Sequence, residues 1–377
     1  MKYLLLLLFI LMPFTLSACE KTPQKEWTFL VYLNGDNNLN SYGDKDVAEM
    51  MKVGSTDQVN IVVLRDFGKK QTSKLLYVNK GSTTTAVDYK KNVDTGDYRT
   101  LIDFFKYSSK NYPAKHYAVV IWDHGNGWMD LADETTRGIS YDDSSGNHIS
   151  TTQLGLALNE MKSLNDGNNI DILGMDACLM AMAEVIYEVK GTVDYLVGSE
   201  ETEPGNGWDY VGALAPLTAN NLMDPRDFSI NLVNAYVDSY PSNSVTQSSV
   251  DVAEFSKVVD KVNSFVTYSQ NVYEDNKSYF QDSLKLAQSF SESSYKDFGH
   301  FLSLLSDRVT DQTLRDYTLD LKNSLESSVV ISRNTYFDKS TGISVWLPQD
   351  MYNMNSYKKL MWSKETSWAS FIETLQK

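Results

Sequence analysis

Cysteine, basic residues and long apolar runs are all scarce in this chain of 377 residues. It has two cysteines, Cys19 and Cys178, and its 34 basic residues against 49 acidic ones give a formal net charge of −15. So acidic a chain is a poor ligand for nucleic acids, and no nucleic-acid partner is expected. The one long apolar run, from Tyr3 to about Leu16, is shorter than the roughly 20 residues that span a bilayer.

The N-terminal segment has the composition of a signal peptide, because Lys2 precedes the apolar run and small residues follow it. The sequence Leu-Ser-Ala-Cys that ends at Cys19 resembles a bacterial lipobox, in which the cysteine becomes the lipidated N-terminus. We therefore predict a signal peptide over 1–18 and a lipidated tether over 19–26 that anchors an exported protein in the bacterial cell envelope. An ordinary signal peptide with an incidental cysteine is the alternative.

Lipidation of Cys19 would leave the mature chain with Cys178 alone, so it could form no internal disulfide. Exported proteins often carry disulfides, and a single unpaired thiol among them needs an explanation. The thiol is either a small buried apolar side chain or a reactive group.

Strand and helix signals alternate through the first two thirds of the chain. Apolar runs, several of them continuous as in parallel strands that are buried on both faces, lie at 28–33, 59–64, 75–78, 117–122, 170–174 and 195–197. Helical patterns lie between them, at 43–53, 98–109, 152–163 and 179–190, and Ser150 with Gln153 forms a capping-box pattern. The alternation predicts an α/β layered fold with a mostly parallel sheet.

The last third has a different pattern, mainly helical and polar, with further strand signals at 245–252, 329–332 and 343–347. We place a boundary near 255. Residues 27–255 are expected to form the main domain, and residues 256–377 a mainly helical region packed on it.

Cys178 lies where one of these strands ends. The run that begins at Ile170 stops just before it, and the following apolar residues have helical spacing (Leu179, Met182, Ile186 and Val189). Ligands of open α/β sheets bind at the carboxyl ends of strands, and a helix amino terminus lowers the pKa of a thiol. The sequence therefore predicts a nucleophile at Cys178.

A thiol nucleophile needs a base, and the chain has four histidines. Only His124 directly follows a strand, at 117–122, so it is expected beside Cys178 at one sheet edge. His116 begins that strand and belongs at the opposite edge. His148 lies in a loop, and His300 lies in the helical region as a packing or surface residue.

Several segments together resemble the clostripain-like cysteine peptidases, peptidase family C11, which are relatives of caspases, legumains and gingipains. They are WDHGNGW (122–128), DILGMDACLMAMAEV (171–185), YLVGSEETEPGNGWDY (195–210), YLNGDNNL (32–39), DTGD (94–97), ISYDD (139–143) and GISVWLP (342–348). The resemblance covers nearly all of the chain after the tether. It implies a caspase-like α/β/α sandwich that cleaves peptide bonds after basic residues with a Cys–His dyad and no required cofactor.

The same resemblance assigns roles to individual residues. Cys178 would be the nucleophile, and His124 would polarise the thiol or protonate the leaving amine. The backbone N–H groups of Gly125 and Cys178 would stabilise the oxyanion, each donor being worth about 3 kcal/mol.

Basic specificity is assigned to Asp176, which would pair with an arginine or lysine side chain of the substrate. The alternative is that Asp176 caps the helix expected near Leu179. Glu200 and Glu201, which follow the next strand, are expected to line the same cleft, and Asp36 is expected to add negative charge there.

Two further expectations concern the loops. Arg137 lies in a long patternless segment between His124 and the next helix, and the resemblance predicts self-cleavage after it; a plain surface loop is the alternative. Some relatives depend on Ca²⁺, and the loop that begins at Asn34 offers the oxygen ligands Asp36, Asn38, Asn40, Asp44 and Asp46. Its spacing does not match an EF-hand loop, so no ligand set is predicted.

The sequence thus predicts a monomeric, lipid-anchored endopeptidase whose partners are the membrane and peptide or protein substrates with Arg or Lys at the cleavage site. Two other functions stay open. One is a binding lipoprotein that has kept the fold and lost the activity, and the other is a thiol amidase that acts on small amides.

Overall fold

The computed structural model describes residues 23–68, 71–130 and 137–377. Its strands are, in chain order, β1 (Lys25–Leu33), β2 (Val59–Arg65), β3 (Lys74–Asn79), β4 (Ser82–Asp88), β5 (Ala114–Trp122), β6 (Gly125–Asp130), β7 (Arg137–Asp142), β8 (Asn147–Ile149), β9 (Ile170–Asp176), β10 (Val193–Gly198), β11 (Val245–Asp251), β12 (Tyr295–Asp297), β13 (Val329–Thr335) and β14 (Ser344–Trp346).

The helices complete the described part of the chain. They are α1 (Asn40–Val53), α2 (Tyr98–Asn111), α3 (Thr151–Leu164), α4 (Ala183–Glu188), α5 (Tyr210–Ala219), α6 (Pro225–Ser239), α7 (Val252–Ser256), α8 (Val258–Asn271), α9 (Tyr273–Leu286), α10 (Phe298–Arg308), α11 (Gln312–Ser328), α12 (Met354–Tyr357), α13 (Met361–Glu365) and α14 (Trp368–Leu375). At the start of α3 the predicted capping box is present, since Ser150 and Gln153 exchange hydrogen bonds.

Among the described residues, nine strands form the main sheet in the order β13-β11-β10-β9-β5-β1-β2-β3-β4. The five central strands, β10 to β2 in that order, are paired in parallel. The outer strands are antiparallel. The predicted mostly parallel sheet is therefore confirmed.

Apolar side chains on the two faces of the sheet build two cores. One face packs on α2, α3 and α4, through residues such as Phe104, Leu158 and Ile186. The other packs on α1, α5 and α6, for example through Leu214 and Phe228. Burial on both faces explains the continuous apolar runs of β1, β2, β5 and β9 and gives the three-layered α/β/α arrangement.

The patternless segment after β5 is not a plain loop. It forms a small antiparallel sheet in the order β6-β7-β8. Its strands have irregular registers, with two shifts in the pairing, which hid the period-two signal from sequence inspection.

Residues beyond 255 extend both the sheet and the core. Strand β13 pairs with β11 at the sheet edge, and Ser344 pairs with Met182, which directly precedes α4. The carboxylate of Glu184 in α4 accepts hydrogen bonds from the Trp346 backbone at 3.0 Å and the Tyr357 hydroxyl at 2.8 Å. The C-terminal region thus fixes the position of α4, the helix that follows the loop containing Cys178 (residues 177–182, called the cysteine loop below).

At the N-terminal side, Lys25 and Glu26, which the sequence assigned to the tether, already belong to β1. The predicted signal peptide over 1–18 and the anchor at Cys19 lie outside the described residues. In the ranges that the structure describes, no helix has both the length and the apolar character to cross a membrane.

Candidate active site

The register of two parallel strands brings His124 and Cys178 to the same edge of the sheet. Trp122 of β5 pairs with Asp176 of β9, and each of the two candidate residues lies two positions beyond this pair. The backbone N–H of Asp123 donates to the Asp176 carbonyl at 3.2 Å, so the two chains stay side by side past the last paired residues.

Gly125 lies directly against the cysteine loop. A Cβ atom at this position would meet the Cys178 carbonyl oxygen at 2.5 Å and the Ala177 side chain at 3.0 Å. Only glycine allows this approach, which brings the two segments assigned to the oxyanion hole into contact.

Cys178 occupies a tight turn and not a helix terminus. The next residue, Leu179, has a left-handed backbone with φ of 64°, and its N–H donates to the Glu201 carbonyl at 3.1 Å. Helix α4 begins only at Ala183, so the predicted helix amino terminus at Cys178 is wrong. The sequence misplaced it because the apolar residues 179–182 are buried without being helical, in a segment whose spacing resembles a helical face.

The thiol of Cys178 is half-buried, and its sulfur accepts a hydrogen bond from the backbone N–H of Glu203 at 3.2 Å. Burial raises the pKa of the thiol above its ordinary value, and the negative charges of Glu201 and Asp176 raise it further. At neutral pH the resting sulfur is therefore a thiol and not a thiolate.

The imidazole of His124 has its own partner. Its Nε2 atom lies 2.6 Å from the Oδ1 atom of Asn38, in the loop after β1. Burial lowers the pKa of His124, and the nearby Asp143 carboxylate opposes that shift. The ring borders a cavity of about 480 Å³ that is lined by Asn37, Asn38, Gly125, Asn126, Tyr141 and Asp143.

Asp176 is a buried anion close behind the cysteine. It is 5% exposed, and its Oδ2 atom accepts from the Tyr210 hydroxyl at 2.8 Å and the Trp208 backbone at 3.3 Å. Burial raises the pKa of its carboxyl to about 6. The alternative role as a helix cap is excluded, because the N-cap of α4 is Met182.

Sequence inspection missed Glu203, which follows β10 and lies next to both Asp176 and Cys178. Its two carboxylate oxygens are buried, and its carboxyl group lies against the Asp176 carboxylate. Burial and the charge of Asp176 hold the pKa of Glu203 well above its usual range. Its position just after the next parallel strand was the available signal, but Glu200 and Glu201 share that position, and the sequence does not distinguish the three.

The structure corrects the assignment of those two glutamates. The Glu200 carboxylate is buried and accepts hydrogen bonds from Ser340 and from the Gly342 backbone, in the C-terminal region. The Glu201 carboxylate accepts from the Ser291 backbone at 3.1 Å. The Glu200 side chain is thus held by the C-terminal region, whereas the charge of Glu201 still acts on Cys178 and its backbone carbonyl accepts from Leu179.

Asp36 also lies away from the cysteine. It is buried and accepts from the Asn92 side chain at 2.7 Å. Carboxylate oxygens of Asp36, Asp66 and Asp142 lie within 4.8 Å of one another, an all-oxygen set of the kind that Ca²⁺ prefers. These three residues fit a cation better than the predicted loop does, because Asp44 pairs with Arg65 and Asp46 with Trp122.

The other three histidines lie elsewhere. His116 is at the opposite sheet edge, 2.7 Å from Asp171. His148 stacks on Tyr141 at 5.8 Å, and His300 accepts a backbone hydrogen bond from Gln288 at 3.0 Å. The last contact agrees with the packing role expected for His300.

The candidate cleavage residue Arg137 is the first residue of β7 and pairs through its backbone with Asp130 of β6. Residues 131–136, which separate these strands in the sequence, lie outside the described residues.

The sequence matches the model of the clostripain family, peptidase family C11, over residues 31–374. It is 27% identical over 225 residues to clostripain of Hathewaya histolytica, and the match covers 52% of this chain and 42% of that protein. The match thus spans less than half the length of this curated relative.

Two solved structures share the fold. A secreted C11 cysteine protease from Bacteroides thetaiotaomicron, in complex with an irreversible peptide inhibitor, is 21% identical with a TM-score of 0.71, over 92% of this chain and 99% of that one. An inactive zymogen C11 protease from Parabacteroides distasonis has a TM-score of 0.70 at the same identity and coverage. The predicted α/β/α sandwich is confirmed.

Proposed function

The chain belongs to the clostripain family of cysteine peptidases, and we propose that it cleaves peptide bonds after arginine or lysine by means of Cys178 and His124. The observation that carries the proposal is the Trp122–Asp176 pair, since His124 and Cys178 each lie two residues beyond it on neighbouring parallel strands. The alternatives of a silent binding protein and of a small-amide hydrolase remain as outcomes of the test below.

In the proposed reaction the Cys178 sulfur attacks the substrate carbonyl carbon while His124 accepts the thiol proton. The N–H groups of Gly125 and Cys178 donate to the oxyanion that forms. The carbon–nitrogen bond then breaks, and the imidazolium returns the proton to the leaving amine. Water hydrolyses the thioester with His124 as base, which restores the thiol.

The buried carboxylate of Asp176 supports the basic specificity. An arginine or lysine side chain that enters beside it would form an ion pair with this carboxylate, which otherwise lies buried beside another acid, Glu203. Glu203 lies next to Asp176, and because its own pKa is held well above the usual range, the negative charge of the pair rests on Asp176.

The proposed function is tested with a peptide library and an active-site alkylator, on the wild-type protein beside Cys178→Ala. We expect cleavage after Arg or Lys that Cys178→Ala abolishes. Stoichiometric labelling of Cys178 without any turnover would instead identify a binding protein. Turnover of small amides but not of peptides would identify an amidase.

We also propose that the mature protein carries a lipid at Cys19 and cleaves itself after Arg137. The Leu-Ser-Ala-Cys motif supports the lipid. Arg137 lies two residues before Ile139, which pairs with Gly125 next to His124, and this proximity along the chain supports access to the site. Intact-mass measurement should show the lipid only when Cys19 is present, and two chains only when Cys178 and Arg137 are both present. A single chain after prolonged incubation of wild type would refute self-cleavage.

Three buried carboxylates, Asp36, Asp66 and Asp142, would hold Ca²⁺ if the protein binds it. Burial raises the pKa of Asp66 to about 6. A bound cation would offset the repulsion among these acids and fix the loops that precede the site. No step of the proposed reaction uses it.

A further inference from the structure

Two consecutive asparagines after β1 contact two consecutive residues after β5. The amide of Asn37 donates to the Asp123 carboxylate at 2.6 Å and to the Tyr141 carbonyl at 3.0 Å. The next residue, Asn38, places its Oδ1 atom 2.6 Å from Nε2 of His124. The loop after β1 thus contacts two neighbouring residues of the segment after β5, Asp123 and His124.

The loop that carries Asn38 is itself fixed. The Oδ1 atom of Asn37 accepts the backbone N–H of Leu39 at 2.9 Å, which closes a turn around Asn38. The Oδ1 atom of Asn34 accepts the backbone N–H of Asp36 at 3.0 Å on the other side. Although the Asn38 side chain is exposed, its backbone is anchored at both ends, so its amide can hold the imidazole in one orientation.

The identity of the contacting atoms decides the tautomer of the histidine. An amide Oδ1 atom can only accept a hydrogen bond, so Nε2 of His124 must carry the proton. In a neutral imidazole the other nitrogen, Nδ1, is then the unprotonated one and the only one that can accept a proton.

We propose that Asn38 is a positioning residue for His124, which keeps the proton on Nε2 and leaves Nδ1 to exchange protons with the thiol and the leaving group. The inference rests on the proposed peptidase function. In the reaction Nδ1 takes the proton of the Cys178 thiol as the carbon–sulfur bond forms, and it returns this proton to the leaving nitrogen as the carbon–nitrogen bond breaks. The Nε2–H bond to Asn38 is kept throughout.

An amide suits this position better than a carboxylate would. The groups around His124 are the Asp143 carboxylate, the buried Asp123 carboxylate, which accepts the His124 backbone N–H, and the ring of Tyr141 at 6.5 Å. A second carboxylate at position 38 would favour the imidazolium and reduce the fraction of free base near neutral pH. The neutral amide orients the ring without charging it.

The tautomer can be measured without any activity, by nitrogen NMR of the ¹⁵N-histidine-labelled Cys178→Ala protein at pH 8. Four histidines give a simple spectrum, in which His124→Gln identifies the signal. We expect the Nε2–H tautomer, and a mixture of tautomers when Asn38→Ala is added. An Nδ1–H tautomer, or a spectrum that Asn38→Ala leaves unchanged, would overturn the inference.

Kinetics of the otherwise intact enzyme give the second readout. Asn38→Ala should lower kcat about tenfold to a hundredfold with little change in KM, since the ring loses its orientation and not its substrate contacts. Asn38→Asp should raise the lower midpoint of the pH–rate profile by about one unit or more, because a carboxylate stabilises the imidazolium.

Asn111→Ala, at the exposed end of α2, is the matched control and should leave kcat, KM and the pH profile unchanged. Equal kcat in Asn38→Ala and wild type would overturn the role of Asn38. If the NMR result is as expected but the wild-type protein cleaves no peptide, the contact between Asn38 and His124 stands and the proposed peptidase function falls.

Discussion

Asp176→Asn should lower kcat/KM for peptides with arginine at the cleavage site by about a hundredfold or more. Removing one partner of a buried charge pair costs about 2–5 kcal/mol, and each 1.4 kcal/mol corresponds to about a tenfold change. Asparagine has nearly the same shape and keeps an oxygen that can accept from Tyr210 and Trp208. The variant therefore removes the charge and preserves the local architecture.

The measurement is kcat/KM for reporter peptides that differ only in the residue before the cleaved bond. Asp103→Asn, an exposed change on α2, controls for the loss of one negative charge. Only Asp176→Asn should reduce the preference for arginine over a neutral residue. An equal loss on all reporters would mean that Asp176 has a structural role alone.

Alkylation of Cys178 by iodoacetamide should accelerate about thousandfold between pH 6 and pH 9 in the free enzyme. The thiolate is the reacting species, and its fraction rises tenfold per pH unit below the pKa. Burial raises the pKa of Cys178 and lowers that of His124, so neutral pH favours the thiol beside a neutral imidazole. Mass spectrometry of the peptide that contains Cys178 follows the rate without interference from Cys19.

His124→Ala is the control for this profile. Because the neutral imidazole supplies no positive charge, its removal should leave the dependence on pH nearly unchanged. A plateau of fast labelling between pH 5 and pH 7 that His124→Ala abolishes would contradict this prediction, because it would reveal a thiolate–imidazolium pair in the resting enzyme.

A resting thiol is compatible with the proposed catalysis. The sulfur is held by the Glu203 backbone and the imidazole by Asn38, so each has a fixed partner before substrate arrives. Proton transfer from sulfur to nitrogen is then required only as the substrate carbonyl is attacked. Negative charge develops at that moment on the carbonyl oxygen, near the N–H groups of Gly125 and Cys178.

Much of the architecture was predictable because the burial of a strand produces a recognisable pattern in the strand's own sequence. Strands buried on both faces are continuously apolar, and the runs before His124 and Cys178 matched β5 and β9. The small sheet β6-β7-β8 produced no such pattern, because its strands are short and their registers shift. The three-residue strand β12 is likewise too short to give a periodic signal.

The helix expected at Cys178 failed for a related reason. Apolar residues three and four apart in sequence suggested one helical face, but residues 179–182 are buried without being helical, and Met182 pairs with Ser344 of β14. Their burial comes from a strand about 160 residues away, which no local pattern reports. Helix α4 starts five residues past the cysteine, too far for its terminus to act on the sulfur.

The amino-acid sequence by itself determined which strands carry the reactive residues, because burial of a parallel strand and the abrupt change to polar residues at its end are both local properties. It also determined the residue types, one thiol, one imidazole and one carboxylate, at the strand ends. Only the tertiary structure decided where the carboxylates of Glu200, Glu201, Glu203 and Asp36 point. It also brought Asn38 to His124, since hydrogen bonds between separate loops depend on side-chain directions that follow from packing and not from spacing along the chain.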